Sequence, residues 1–415
     1  MPDHTRLAIL GQRAPGDKPW LSDLLPPPDA PRARSLYLHI PFCFHKCHYC
    51  DFYSIVDSRD RQARFTDRLI REIAAIGPWL LPLDTLFIGG GTPTLLRPDL
   101  WEPLLAALAP WLRPGDGDTP ETEFTVECNP ETATAELMGV LASGGVGRVS
   151  IGAQTFHPRH LETLERWHDP ENVARAIELA RAAGIRRQSL DLIYAIPGQT
   201  LAEAEADLRR ALELGTEHVS AYALTYEPNT AMTKRLARGD FTPADEDLEA
   251  DMQEQAASVL AEAGLDRYEV SNFAAPGAEC AHNLAYWRQE EWMAAGPSAS
   301  GHSQGWRWKV VPNLGEYLEG DHDGFARTID AEPPDARRAV AERLMTGLRL
   351  REGVEIIGIT SEAESAHAGA AERLVAAAKR WIDSGHLTED GGRWRPTEAG
   401  FLMADGIAAD LMARV

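Results

Sequence analysis

Cysteine is scarce in this chain: five residues among 415, too few for a disulfide framework. Basic residues are also short. Lys and Arg number 41 against 63 Asp and Glu, and the formal net charge of −22 argues against nonspecific nucleic-acid binding. Long apolar runs are missing too. The nearest, PLLAALAPWL at 103–112, holds two prolines and is too short to cross a bilayer. The opening MPDHTRLAIL lacks the basic-then-apolar plan of an export signal. No internal repeat or long low-complexity tract stands out. The expectation is a cytosolic globular protein, 44% hydrophobic, with one large domain and a smaller appendage.

What is present is concentrated. Cys43, Cys47 and Cys50 fall together in CFHKCHYCDF (43–52), a CxxxCxxC spacing with Phe52 where a further cysteine could have stood. Around this loop the chain alternates. SLYLHI (35–40), DTLFIG (84–89), EFTVEC (123–128), GRVSIGA (147–153), SLDLIYA (189–195) and HVSAYAL (218–224) read as short strands buried on both faces. Helical patterns separate them at 64–76, 99–108, 131–144, 171–184 and 201–215; the first puts Phe65, Leu69, Ile73 and Ile76 on one stripe. Gly144, Gly184 and Gly215 sit where C-terminal caps belong. Repeated βα units predict an α/β fold, a parallel sheet closing toward a barrel.

Flanking regions read differently. Residues 1–34 end in the proline-rich LLPPPDAPRARS and suggest an arm or strap. The alternation fades after 225, and TPAD (242–245) predicts a helix start with Thr242 as cap and Pro243 in the first turn. From 335 to the end, helices around a tight EDGGR turn (389–393) suggest a winged-helix-like module.

In βα barrels ligands bind at the carboxyl ends of the strands. The cysteine loop follows the first strand, GGGTPT (89–94) the second and NPE (129–131) the third, so the polar candidates converge on one rim. Three thiolates there have two readings. Zinc could take His45, His48 or His39 as a fourth ligand, and spacing alone slightly favours it. A four-iron–four-sulfur cluster would use three cysteines and leave one iron open for a small molecule. The position on a ligand-binding rim, beside a glycine-rich turn, favours the cluster.

YLHIPFCFHKCHYCDF and FIGGGTPTLL, followed in order by ECNPE, SIGAQTF, DLIYAIPGQT and HNLAYW, resemble the radical S-adenosylmethionine superfamily. More narrowly they resemble the branch shared by oxygen-independent coproporphyrinogen III oxidase and the HemW haem chaperones. The likeness runs over about residues 35–300 and implies a partial (β/α)6 TIM-like barrel at 35–225. It further implies a barrel extension at 226–334 and the C-terminal module at 335–415.

By that resemblance Cys43, Cys47 and Cys50 hold the cluster and S-adenosylmethionine chelates its open iron. Tyr37 lies close to the cofactor and Tyr49 packs near its adenine. Gly90, Gly91 and Thr92 meet its methionine end, the glycines allowing close approach with their N–H groups free to donate. Glu127 is a nearby carboxylate, Gln154 and Asp191 bond the ribose hydroxyls, and Arg166 pairs with a cofactor carboxylate. Singly, Glu127 or Arg166 would more often be an ordinary surface charge.

Two functions share these motifs. The oxidase pattern continues to CxxxCxxCxC, whereas this chain has Phe52; the HemW branch has an aromatic there and carries HNxxYW, present as HNLAYW at 282–287. The resemblance therefore implies a haem-binding and haem-delivering protein, with coproporphyrinogen decarboxylation as the alternative and a zinc-stabilised barrel as a remote third. Its partners would be haem and a haem-accepting respiratory protein, with peripheral membrane attachment and a homodimer compatible with it. Cys280 and His282 are candidate axial ligands, with Tyr286 and Trp287 as flat apolar surface. The bland alternative for His282 is a hydrogen-bonded core residue, and Cys128 reads as a small buried side chain.

Overall fold

Each of the six apolar segments becomes a strand in the computed structural model, which describes residues 18–25, 29, 32–115 and 121–415. They are β1 (Ala33–Ile40), β2 (Leu80–Gly90), β3 (Glu123–Cys128), β4 (Arg148–Gln154), β5 (Arg187–Tyr194) and β6 (His218–Ala223). Each pairs in parallel with the next in chain order. Helices Gln62–Ile76, Pro98–Leu108, Ala135–Ser143, Glu171–Ala182 and Leu201–Glu213 return the chain between them.

The outward side chains of these strands, among them Leu36, Leu38, Leu86, Ile88, Val126 and Ile151, join the helix stripes in one core. Phe65, Leu69, Ile73 and Ile76 lie in that core as expected. The strands are largely buried on both faces, as expected, but their inward side chains are mostly polar. Tyr37, Thr125, Glu127, Ser150, Asp191 and Ser220 line a cavity instead. Strands around a ligand space need one apolar face only, and the polar alternate positions record that space.

Beyond the six strands the sheet continues at both edges. β9 (Trp292–Ala295) lies parallel to β1, with β10 (Ser300–Ser303), β11 (Trp306–Val310) and β12 (Thr328–Glu332) following as antiparallel neighbours. At the other edge β6 meets β8 (Asn272–Ala274), which pairs with β7 (Asp266–Glu269). The order β12-β11-β10-β9-β1-β2-β3-β4-β5-β6-β8-β7 has two free ends, so the barrel is partial. The extension contributes these six short strands, from residues whose alternation is too short to read alone.

Several local expectations shift. The acidic helix starts at Glu246 with Asp245 as its N-cap, its carboxylate accepting from Leu248 N at 2.8 Å; Thr242 and Pro243 lie outside. Carboxylate and hydroxyl both cap well, and here the later residue wins. The helix before β4 is capped by Gly144, as expected, and Gly145 after it takes the left-handed region (φ 91°). Of the N-terminal arm, residues 1–17, 26–28 and 30–31 lie outside the described residues. Leu21, Leu24 and Leu25 are buried in the main core, and Leu21 N donates to Ala326 O of the extension.

The C-terminal region has its own core. Helices Ala336–Gly347, Ile356–Ala366 and Ala370–Asp383 pack with a three-stranded sheet of β13 (Val354–Glu355), β14 (Leu387–Asp390) and β15 (Arg393–Pro396). Gly391 and Gly392, both at positive φ, make the hairpin turn. This module closes on the barrel: Glu269 bridges Leu350, and the Arg267 guanidinium lies 5.1 Å from Phe273 and 4.8 Å from Phe401. Phe401 and Leu402 reach the cavity wall.

Candidate functional site

The cavity inside the barrel measures about 1140 Å³. Its mouth is the cysteine loop, held by backbone bonds rather than by its own side chains. Cys43 N donates to Ile55 O and Ile55 N to Pro41 O, both at 2.8 Å, closing the loop's neck. His48 N donates to Leu164 O (3.2 Å) and Met232 N to His48 O (2.8 Å), fastening its tip to neighbouring segments.

The glycine turn serves the same end. Gly90 N donates to Glu127 Oε2 (3.0 Å), Gly91 N to Ile40 O and Thr92 N to Phe42 O (2.8 Å each). The expectation that these N–H groups stay free is therefore corrected: all three are spent on the protein. A Cβ at Gly90 would lie 2.6 Å from the His39 ring, and one at Gly91 2.8 Å from the Phe42 carbonyl. Glycine is required at 90 by the His39 ring and a φ of 113°, and at 91 because two rim segments pack backbone to backbone. What the turn retains for a ligand is carbonyl oxygen.

Cys43, Cys47 and Cys50 all line the cavity. Cys43 Sγ lies 3.4 Å from Thr92 Oγ1, and Cys47 Sγ accepts from Arg166 Nη1 at 3.8 Å. Arg166 also donates from Nη2 to Gly152 O (3.0 Å) and makes no ion pair among the described residues. Its Nε is buried without a partner. A guanidinium so placed is fitted to an anionic group from outside the chain. Gly152 makes room for it, since a Cβ there would sit 2.9 Å from Arg166 Nη2 and 2.7 Å from Gln154 Nε2. Gln154 itself holds φ 64°, strained for a non-glycine residue, at the carboxyl end of β4.

Two carboxyls stand deeper. Burial, and then the nearby Asp191, push Glu127 up to about 7, against the Gly90 N–H. Burial raises Asp191 to about 6, opposed by hydrogen bonds from Ser220 and Ser150, whose Oγ lies 3.1 Å away. A carboxyl raised in the folded protein stabilises it fully below its unfolded value and loses that contribution as pH rises through the folded value. Without cofactor, the melting temperature should fall between about pH 4 and 7, through the windows from 4.5 to about 7 for Glu127 and from 3.8 to about 6 for Asp191. Glu127→Gln should flatten that slope; a calorimetric pH series checks it.

Of the histidines proposed for zinc, His39 and His48 have bonded ring nitrogens, while His45 stacks with its Nε2 buried and unpartnered. His39 bonds Tyr37 OH (3.1 Å) and Tyr53 O (2.8 Å), His48 Nδ1 lies 3.2 Å from Arg235 Nη1, and His45 stacks on Trp167 at 3.9 Å. Among the described residues no three His, Cys, Asp or Glu side chains gather as a set for one ion. Zinc with bonds of about 2.0–2.3 Å needs that convergence, whereas a four-iron cube spreads its thiolates over separate irons. The donor set fits the cube better.

Tyr49 also lines the cavity and packs with the Leu164, Ile193, Ile196, Leu224 and Met232 cluster. His282 lies elsewhere. It sits in the helix Ala281–Trp287, is 2% exposed, and forms the cavity floor with Tyr286. Its Nδ1 lies 2.8 Å from Thr85 Oγ1, its ring packs 5.3 Å from Phe87, and burial lowers it to about 3. Nε2 is buried without a partner. Cys280 Sγ is 3.5 Å from Glu123 Oε1, and Cys128 is a buried thiol 3.4 Å from Asn129 O. Ser150, Gly152 and Ser220 escaped the sequence reading. Their signal, every second residue of β4 and β6 being small or polar, is legible only once the inner face is known.

Known proteins resemble this chain in sequence and fold. The model of the radical SAM superfamily matches residues 37–211, and that of the HemN C-terminal domain matches 335–403. The heme chaperone HemW of Mycobacterium tuberculosis is 35% identical over 407 residues, covering 97% of this chain and 99% of that protein. The heme chaperone HemW of Escherichia coli is 34% identical, covering 90% and 96%. The Lactococcus lactis protein of that name is 38% identical, covering 78% and 83%. Among solved structures, coproporphyrinogen III oxidase (HemN) from Escherichia coli superposes with a TM-score of 0.78 at 21% identity, over 93% of this chain and 91% of that one, a likeness of fold. The chain belongs to the HemW heme chaperone family of the radical SAM superfamily.

Proposed function

We propose that this protein binds haem and passes it to a haem-accepting respiratory protein, on a barrel that also holds a four-iron–four-sulfur cluster and S-adenosylmethionine. The observation that carries the reading is the end-to-end likeness to a heme chaperone, 97% of one chain against 99% of the other. In this reading residues 35–225 hold cluster and cofactor, 226–334 edge and floor the barrel, and 335–415 close its side.

Cys43, Cys47 and Cys50 would hold the cluster, which would supply one-electron chemistry. Arg166, lacking an internal anion, would take a cofactor carboxylate. Gln154 and Asp191 would accept or donate to ribose hydroxyls, with Ser150 keeping Asp191 in place. Glu127 holds the Gly90 turn against the methionine end, and Tyr37 and Tyr49 wall the cavity. His282 would close the floor under the cofactor. Its buried ring and its bond to Thr85 support that place more than an axial bond to iron.

The alternative, coproporphyrinogen decarboxylation, shares the fold. Against it stands Phe52, at the position of the oxidase pattern's last cysteine and 62% exposed. One anaerobic sample separates the two. Titration with haem should give a stoichiometric Soret band, while reductant, cofactor and coproporphyrinogen III should give no protoporphyrinogen. Protoporphyrinogen formation would overturn the choice.

A further inference from the structure

Eight large hydrophobic side chains of the described residues are exposed, and four of them lie on or against the cysteine loop: Phe44 (38%), Phe52 (62%), which also lines the cavity, Val56 (61%) and Trp167 (56%). The first three come from the cysteine loop and its return. Trp167 joins them through His45, whose ring stacks on it with planes 8° apart. The indole is fixed, not loose. Its Nε1 donates to Glu165 Oε2 (3.2 Å), and Glu165 holds a left-handed turn (φ 52°) at the end of the helix Pro158–Leu164. One indole face is covered by His45, which leaves the other to solvent.

Exposed aromatics gathered at one place in a soluble-type surface mark a binding site. The charge beside them narrows the ligand. In a chain of net charge −22, Lys46 stands on this rim with no ion pair among the described residues, donating only to Phe52 O at 3.3 Å. A flat apolar group with an anionic edge fits such a rim; the cavity behind it is walled by the residues assigned to cluster and cofactor.

We propose that the tetrapyrrole docks on this rim, outside the barrel, its plane against Trp167 and Phe52 and a propionate at Lys46. The assignment rests on the haem-binding reading above and locates it. His282 then lies too deep to be the docking residue while the cofactor occupies the barrel. An acceptor protein could also cover an aromatic face, and the test separates that case.

The test titrates cluster-loaded protein with haem in the presence of S-adenosylmethionine, following the Soret band and tryptophan quenching. Trp167→Ala should weaken haem binding about tenfold, the loss of one large aromatic contact. Lys46→Glu should weaken it about fivefold, and haem dimethyl ester, without free propionates, should not distinguish Lys46→Glu from the parent. Ile357→Ser, an exposed aliphatic on the C-terminal module, should bind as the parent does. Parent-like affinity in both rim variants overturns the site, as does loss of the band in His282→Ala alone. Unchanged haem affinity with lost transfer to an acceptor would give the face to the partner protein and overturn it too. A parent protein that binds no haem overturns the haem reading itself, and the site with it.

Discussion

Cys43→Ala, Cys47→Ala and Cys50→Ala should each leave the anaerobically reconstituted protein without iron–sulfur absorption near roughly 400 nm. Bound iron and acid-labile sulfide should fall to background. In the proposed assignment three thiolates would be the whole protein ligand set, so losing one would leave an iron with neither protein nor cofactor to hold it. The fold should survive, because the loop is closed by main-chain bonds between Cys43 and Ile55 and between Ile55 and Pro41, which a side-chain truncation does not touch. Far-ultraviolet circular dichroism should therefore match the parent. Cys128→Ala and Cys280→Ala are the controls: one thiol contacts its neighbour's carbonyl and the other Glu123, and both should retain the cluster. A parent-like chromophore in the three loop variants would end the cluster assignment and most of the functional reading.

The second large effect is on stability. Arg148 is buried inside the barrel and its Nη2 donates to Glu123 Oε2 (3.0 Å), Ala278 O (3.0 Å) and Glu279 O (3.1 Å). Glu123 in turn accepts from His282 N at 3.1 Å. One guanidinium thus ties β3 and β4 to the floor helix Ala281–Trp287. Arg148→Met leaves a carboxylate and two carbonyls without their donor, and breaking such a pair costs about 3–5 kcal/mol. The denaturant midpoint should fall accordingly, with weaker S-adenosylmethionine binding as the floor loosens. The double variant Arg148→Met, Glu123→Leu should recover part of the loss, because it no longer leaves a buried charge alone. A midpoint unchanged in the single variant would mean that water replaces the guanidinium and the floor stands without it.

Phe52 links sequence and structure differently. As a letter it distinguishes CxxxCxxC from the longer cysteine pattern. In the fold it is also one of the mouth's exposed aromatics, beside Lys46. In the proposed reading the residue that stands in place of a cysteine also adds surface for a ligand, a consequence visible only when Trp167 is brought against the same loop through His45.

The chain by itself determined the six parallel strands, their helices and the three sulfurs on one rim. Those signals are local: an apolar run needs only its own length, and a CxxxCxxC loop only its own spacing. Tertiary structure decided the rest. The antiparallel strands that extend both sheet edges depend on partners distant in sequence, as β9 does on β1. The polar inner face of β4 and β6 reads as noise until the barrel curves around a cavity. The glycine turn looked like a donor cradle, yet its amides are consumed by Ile40, Phe42 and Glu127, because hydrogen-bond partners across a rim are chosen by packing. His282 read as an axial ligand or a hydrogen-bonded core residue; the fold buries it in the cavity floor against Thr85, since burial is a property of everything folded around a residue and not of the residue.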